Sequence, residues 1–388
     1  MARRLLRRCE ALENFPRPDA DGEHREWRDA TLLAALLHDV GHGPFSHVFE
    51  EISRTTFGIH VDHEAWTKQI VRRPAVRSPI EEHCGARTYE KLLELFDVDP
   101  GFNIYSTIIS SQLDADRLDF LVRDRYFSGI QVGFLDLEWI LDSMRIFTHP
   151  VDGELLDPSA EASETGKFQY SVAYSDKGKS ALEEFILSYI HMYNSLYFHK
   201  TTRSAQIMLG DLLQGLAEDG RLDKCPAHNA LIKYFKSRND VELETYLETD
   251  DIAIWEIVFF VAKNDLGEPS RIATRLTNRD LYKCFEVPSQ HFAISPFKEM
   301  EFCNRLREAG IEFREDRFAT KSIKEYDEGT PKYFLNLLIW PEGKDFPLSI
   351  GRLNPLINEQ AQRSIKRFYF PHDGDDQKAE EIWNSLGD

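Results

Sequence analysis

The stretch LLAALLHDVGHGPFSHVFE, residues 32–50, decides how the chain is read. An apolar helical run ends at His38 and Asp39, and His42 and His47 follow within ten residues, joined through Gly41, Gly43 and Pro44. Neighbouring residues on a regular helix point about 100° apart, so His38 and Asp39 reach one ion only at a helix end or a distortion. Gly41 supplies such a break. Imidazole with carboxylate suits Mn, Fe, Co, Zn or Mg rather than a thiolate-seeking metal. An ion of this kind lowers the pKa of a bound water and polarises a phosphoryl oxygen. The plainer alternative is that His38 caps a core helix and Asp39 opens the next turn, the commoner role of an isolated His-Asp pair. His42 and His47 could likewise be satisfied core histidines.

Working outward, helical patterns dominate the first half. Pro44 suits the first turn of a helix PFSHVFEEISR, and Asp62 suits the N-cap of HEAWTKQIVRR. STIISSQLDADRLDFLVRDRYF (106–127) has apolar residues at near-helical spacing. MRIFTH (144–149) and FQYSVAYS (168–175) read as a strand pair, with an exposed turn over 151–166. A long helical segment is expected from about Lys177 to Leu216. LYKCFEVP, IEFREDRF and YFLNLLIWP mix aromatic and β-branched residues between turn signals, and DDQKAEEIWNSLGD reads as a terminal helix. The fold expected is mainly α: a helical core over residues 1–220 and a smaller C-terminal helical and α+β lobe over 221–388.

The 388 residues carry a formal net charge of −19, which disfavours a sequence-independent grip on bulk nucleic acid. Cys9, Cys84, Cys225, Cys284 and Cys303 are scattered and form no C-x-x-C, which fits free thiols in a reducing cytoplasm. MARRLLRRCE has no long apolar core of a signal peptide. IAIWEIVFFVA (252–262) is too short to span a bilayer and reads as a buried helix, so no membrane partner is expected.

HDVGHGPFSH is followed by DHEAW (62–66), SQLDADRLDFLVRD (111–124) and LYFHKTTRSA (196–205). In this order and spacing the four blocks resemble the HD-domain superfamily. They are most similar to its deoxynucleoside triphosphate triphosphohydrolase branch, which includes bacterial dGTPases and the mammalian SAM-and-HD-domain enzyme. The resemblance implies a cytoplasmic, oligomeric enzyme, with activating nucleotides at subunit interfaces. It would use a divalent metal to hydrolyse dNTPs at the α-phosphorus, releasing deoxynucleoside and triphosphate. Antiphage defence by nucleotide depletion is a role implied by the same analogy.

Carried over residue by residue, the resemblance makes His38, Asp39 and Asp116 metal ligands. Asp116 is preferred over its neighbours Asp114 and Asp119 by motif alignment alone. His42, His47 and His63 surround the α-phosphate, with His63 and the adjacent Glu64 as general acid and partner. Arg117 and Lys200 lie near the triphosphate, Asp124 accepts the sugar 3′-hydroxyl, and Tyr197 disfavours a 2′-hydroxyl. Phe120 stands where a tyrosine is common, which removes one sugar contact. His199 either packs or supports the metal; Arg203 is expected at the surface; Arg3, Arg4, Arg7 and Arg8 are expected on a solvated helix face; His24 is expected exposed in a polar loop.

The resemblance also implies an earlier metal-ligating histidine in an HSxGV-like segment. Only 37 residues precede His38, and ARRLLRRCEALE resembles the helix that follows that segment. The expectation is that the sequence starts just after this ligand, or that the ligand is lost. With a ligand lost, the chain would be an impaired, nucleotide-binding regulatory subunit. A phosphodiesterase of HD type acting on another nucleotide or on single-stranded nucleic acid is a third reading.

Overall fold

In the computed structural model of the chain, residues 1–12, 14–16, 22–97, 103–150, 168–288, 296–319, 326, 335–354 and 364–386 are described. The turn expected over 151–166 lies outside them. The fold is mainly α, with strands in two sheets. The chain forms two compact units, one of residues 1–40, 70–196 and 320–362, the other of 41–69, 197–319 and 363–388. These units interleave along the chain, whereas the sequence reading draws a single boundary after residue 220.

In the first unit, the helices Ala2–Glu10, Glu23–Leu37 and Ala115–Ser128 carry the periodicity of half-buried helices: Leu5, Leu6 and Cys9, then Ala30, Thr31 and Ala34, then Leu118 and Leu121 are buried. Arg8 is not simply solvated, because its guanidinium donates to the carbonyls of Leu141 and Asp142 at 2.8 Å. Strands β1 (Met144–Pro150) and β2 (Phe168–Ser175) pair antiparallel, as their sequences suggest. The strands β5 (Leu338–Trp340) and β6 (Leu348–Ser349) complete a sheet of order β1-β2-β5-β6, and β5 runs parallel to β2.

In the second unit, the helices His47–Phe57, Lys200–Ala217, Ala230–Ser237 and Asp251–Lys263 share one apolar core. The helix Lys200–Ala217 buries Ser204, Met208, Leu212, Leu213 and Leu216, the stripe a 3.6-residue period dictates. The long helix expected from Lys177 to Leu216 is broken. It runs from Lys179 to Met192, passes through a π-helical turn Tyr193–Tyr197, and restarts at Lys200 with His199 as N-cap. His199 Nδ1 accepts the Thr201 N–H at 3.3 Å.

A second sheet has the order β3-β7-β4, from β3 (Lys283–Glu286), β4 (Arg314–Ala319) and β7 (Ser364–Phe370), and both pairings are antiparallel. Arg203, expected at the surface, makes a bidentate pair with buried Asp316 at 2.8 and 3.0 Å. The helix Asp251–Lys263 is not wholly buried: Ile254, Ile257, Val258 and Val261 face the core, whereas Ile252, Trp255 and Phe259 are exposed.

A metal cluster and a histidine cluster as candidate functional site

The helix Glu23–Leu37 ends at His38, whose N–H still bonds the Ala34 carbonyl at 2.9 Å. His38 Nδ1 lies 3.2 Å from the Ala35 carbonyl, which only accepts, so Nδ1 carries the proton and Nε2 keeps its lone pair. That Nε2 is 3.5 Å from Asp39 Oδ2 and 3.8 Å from Asp116 Oδ1. Asp116 arrives on the first turn of the helix Ala115–Ser128. One ligand atom from each of the three residues lies within 4.8 Å of the others.

The donor set fits a divalent ion. One imidazole and two carboxylates suit a hard or borderline cation, and their charge of −2 matches it. Atoms bound to one ion at about 2.1 Å stand about 3 Å apart, so the cluster needs only small closure. Burial, with the charge of Asp39 adding to it, holds the Asp116 carboxyl above the ordinary range despite His38.

Asp114 organises the turn before Asp116. Buried, it caps the helix by accepting the Arg117 N–H at 2.8 Å and also accepts the Ser111 N–H at 3.1 Å. The Arg117 guanidinium donates to Asp114 and to the Ser111 carbonyl. Arg117, placed at the triphosphate by resemblance, is thus tied along one edge to its own helix turn. Asp124 and Phe120 lie half-buried further along this helix, with Arg123 Nη1 3.7 Å from Asp124. His24 is not in an exposed loop. It lies in the first turn of the helix Glu23–Leu37, 3.3 Å from both the Tyr105 hydroxyl and Glu10 Oε1.

The second cluster belongs to the second unit. The helix expected to begin at Pro44 begins at His47, because Phe45 and Ser46 take φ of 54° and 53°. Gly41 is required by close approach: a Cβ there would stand 2.2 Å from the His63 carbonyl oxygen and 2.4 Å from Thr67 N. The Gly41 N–H donates to Thr67 Oγ1 at 3.0 Å, and its carbonyl accepts the Tyr246 hydroxyl. Trp66 stacks on Tyr246 at 4.2 Å. Asp62 caps the helix His63–Val71 through the Ala65 N–H at 2.8 Å, as its position predicts.

This frame gathers His42, His47 and His63 around Glu50. His63 Nδ1 is 2.6 Å from Glu50 Oε1, and the His63 backbone N–H donates to the same oxygen at 2.9 Å. His47 Nδ1 is 3.3 Å from Oε2, and His42 Nδ1 is 3.9 Å from Oε1. The rings of His42 and His63 stack at 4.0 Å. Burial alone would raise the Glu50 carboxyl, but hydrogen bonds from His47 and His63 outweigh it and hold the group below its ordinary range. An ionised Glu50 fixes Nδ1–H on His63 and leaves Nε2 free to carry a proton.

Glu64, placed beside His63 by the resemblance, is exposed, because adjacent residues on a helix point about 100° apart, and the carboxylate that meets His63 is Glu50. Sequence reasoning left Glu50 without a role. The signal available was its place three residues after His47, where side chains on a helix meet. Tyr197 ends the π-helical turn, and Lys200 is exposed at the start of the next helix, its carbonyl accepting the Tyr369 hydroxyl at 3.3 Å.

Residues 4–98 match the family model described as the HD domain. The chain is 30% identical over 306 residues to the uncharacterized protein YwfO of Bacillus subtilis, covering 76% of this chain and 61% of that one. It is 27% identical over 290 residues to the uncharacterized protein MJ1154 of Methanocaldococcus jannaschii, covering 75% and 50%. The chain thus spans between half and about three-fifths of the length of these curated relatives. Its fold is similar to that of a phosphohydrolase from Bacteroides thetaiotaomicron, with a TM-score of 0.64 at 19% identity over 96% of this chain and 85% of that one. It is equally like that of a hypothetical protein from Aquifex aeolicus, with a TM-score of 0.63 at 20% identity over 100% and 84%. Among the described residues, no helix is long and apolar enough to cross a membrane.

Proposed function

We propose that the chain is a metal-dependent phosphohydrolase that hydrolyses deoxynucleoside triphosphates to deoxynucleoside and triphosphate. The observation that carries the metal-dependent part is the convergence of His38, Asp39 and Asp116 within 4.8 Å. A bound divalent ion supplies an acidified water and a Lewis acid for a phosphoryl oxygen. Asp39 and Asp116 would hold it by charge, while His38, fixed by the Ala35 carbonyl, would present Nε2. The Glu50-held His63 is suited to give a proton to a leaving oxygen. The dNTP substrate rests on the four sequence blocks, and in particular on Asp124, Tyr197 and Lys200. The HD domain and the likeness of fold to a phosphohydrolase support the broader class.

The test is incubation of purified protein with each of the four dNTPs and Mn²⁺, Mg²⁺ or Co²⁺, alone and with a second dNTP as activator. Anion-exchange chromatography separates triphosphate from pyrophosphate and phosphate. Triphosphate with deoxynucleoside in equal amounts, abolished in Asp39→Ala, is the expected result. Release of no triphosphate under any condition overturns the dNTP reading. Cleavage of single-stranded nucleic acid or of another nucleotide by the same metal cluster would replace it with a phosphodiesterase.

A further inference from the structure

The loop that joins His42 to His47 is held in an unfavourable backbone shape. Phe45 and Ser46 stand at φ of 54° and 53°, a left-handed region that residues other than glycine enter only where their surroundings impose it. Two residues far downstream supply that constraint. The Tyr246 hydroxyl donates to the Gly41 carbonyl at one end of the loop, and Asp251 Oδ1 accepts the Phe45 N–H at 2.9 Å near the other. Between these anchors Gly43 passes so close that a Cβ would stand 3.0 Å from the Tyr246 hydroxyl. All of these residues lie in the second unit.

The two anchors are themselves well fixed. Tyr246 is buried on the short helix Leu243–Leu247, and its ring stacks on Trp66 of the helix His63–Val71 at 4.2 Å. Burial pushes its phenol well above the ordinary range, so the hydroxyl keeps the proton it donates. Asp251 opens the helix Asp251–Lys263 but does not cap it, because Asp250 accepts the Ala253 N–H at 2.8 Å. One turn on, Trp255 meets the Phe45 ring edge-on at 6.4 Å.

We infer that Tyr246 and Asp251 are positioning residues that hold His42 and His47 against Glu50 and His63. Neither lies in the four sequence blocks. Tyr246 ties the start of the loop to the helix that carries His63, and His42, the residue after Gly41, then stacks on His63 at 4.0 Å. Asp251 fixes Phe45, two residues before His47, whose Nδ1 lies 3.3 Å from Glu50 Oε2. Both act through the loop backbone. A misplacement of about 1 Å in a reacting group can lower a rate by about 100-fold. The effect on rate rests on the phosphohydrolase reading; the placement of the histidines does not.

The test uses the full chain and its variants Asp251→Ala, Asp251→Asn and Tyr246→Phe. Proton–nitrogen NMR of protein carrying isotope-labelled histidine reports placement without any substrate. Asp251→Ala should shift the His47 ring signals and Tyr246→Phe those of His42, with His372 unmoved in both. Asp251→Asn, which keeps an acceptor oxygen, should restore the wild-type pattern. With Mn²⁺ and a dNTP, Asp251→Ala and Tyr246→Phe should lower kcat at least about tenfold while KM changes less than about threefold. Asp251→Asn should recover most of the rate. The melting temperature of Asp251→Ala should stay close to that of the wild-type chain, because Asp250 still caps the helix. If Tyr246→Phe fails to fold, Asp251→Ala decides. Unmoved His47 signals in Asp251→Ala overturn the inference. Shifted signals with an unchanged kcat overturn it too, since the contacts would then be structural alone. A wild-type chain that hydrolyses no dNTP removes the dNTP reading instead, and the histidine signals alone then decide the positioning.

Discussion

Glu50 Oε1 stands 2.6 Å from Nδ1 of His63, thirteen residues later in the chain. The contact makes Glu50, rather than exposed Glu64, the carboxylate that orients the His63 ring. Glu50→Gln keeps the shape but removes the charge. It should lower the rate of triphosphate release by about 10- to 100-fold. Glu64→Gln should change the rate less than about twofold, as exposed substitutions usually do. Equal losses in the two variants would reverse the assignment.

The same carboxylate predicts a stability profile. Its native pKa lies below the ordinary value of 4.5 because His47 and His63 bond its ionised form. Ionised Glu50 therefore stabilises the native state fully above pH 4.5, and this contribution disappears as pH falls through the lower native value. Melting temperatures followed downward from pH 6 should fall more steeply for the wild-type chain than for Glu50→Gln. Parallel curves would show that Glu50 is not held in its ionised form.

Removing one member of the metal cluster should cost affinity without cost to folding. Asp116→Asn replaces a charged ligand with a neutral amide and relieves the repulsion from Asp39. Titration calorimetry with Mn²⁺ should show affinity reduced at least about tenfold. The melting temperature without metal should be equal to or higher than that of the wild-type chain. Undiminished Mn²⁺ binding would remove Asp116 from the ligand set.

Gly41 should tolerate no side chain. A methyl group 2.2 Å from a backbone carbonyl cannot be accommodated by rotating a side chain. Gly41→Ala should destabilise the protein by about 2 kcal/mol or more in urea unfolding. Tyr246→Phe, which removes the hydroxyl donor to the Gly41 carbonyl, should cost about 1 kcal/mol. A neutral Gly41→Ala would mean that the turn between His38 and His47 yields easily.

Much of this was legible in the sequence, for identifiable reasons. His38 and Asp39 announce themselves because a helix must end where a glycine follows them. Asp116 is legible only through motif alignment, because Asp114 and Asp119 offer the same side chain within five residues. Glu50 was hidden because its partner His63 lies on another helix, and spacing along the chain does not measure that distance. The strand Ser364–Phe370 was missed for a similar reason. Its Lys366 and Arg367 are nearly buried, which reads against a central strand. They are tolerated because Glu315 lies 2.9 Å from Lys366 and Glu286 2.7 Å from Arg367, on the two flanking strands. The helix 252–262 read as fully buried because composition registers how apolar a segment is, not which side finds a neighbour.

The order β3-β7-β4 has a consequence for biosynthesis. Among the described residues, strands β3 and β4 pair only with β7, which follows both in the chain. During translation each leaves the ribosome with an open backbone edge and waits for a strand not yet made. The histidine cluster sits in the same compact unit as this sheet, so the unit reaches its finished state only once β7 has closed it. A nascent chain stalled before Ser364 would present two unpaired strands to the cell, and chaperone capture should be greatest in that window.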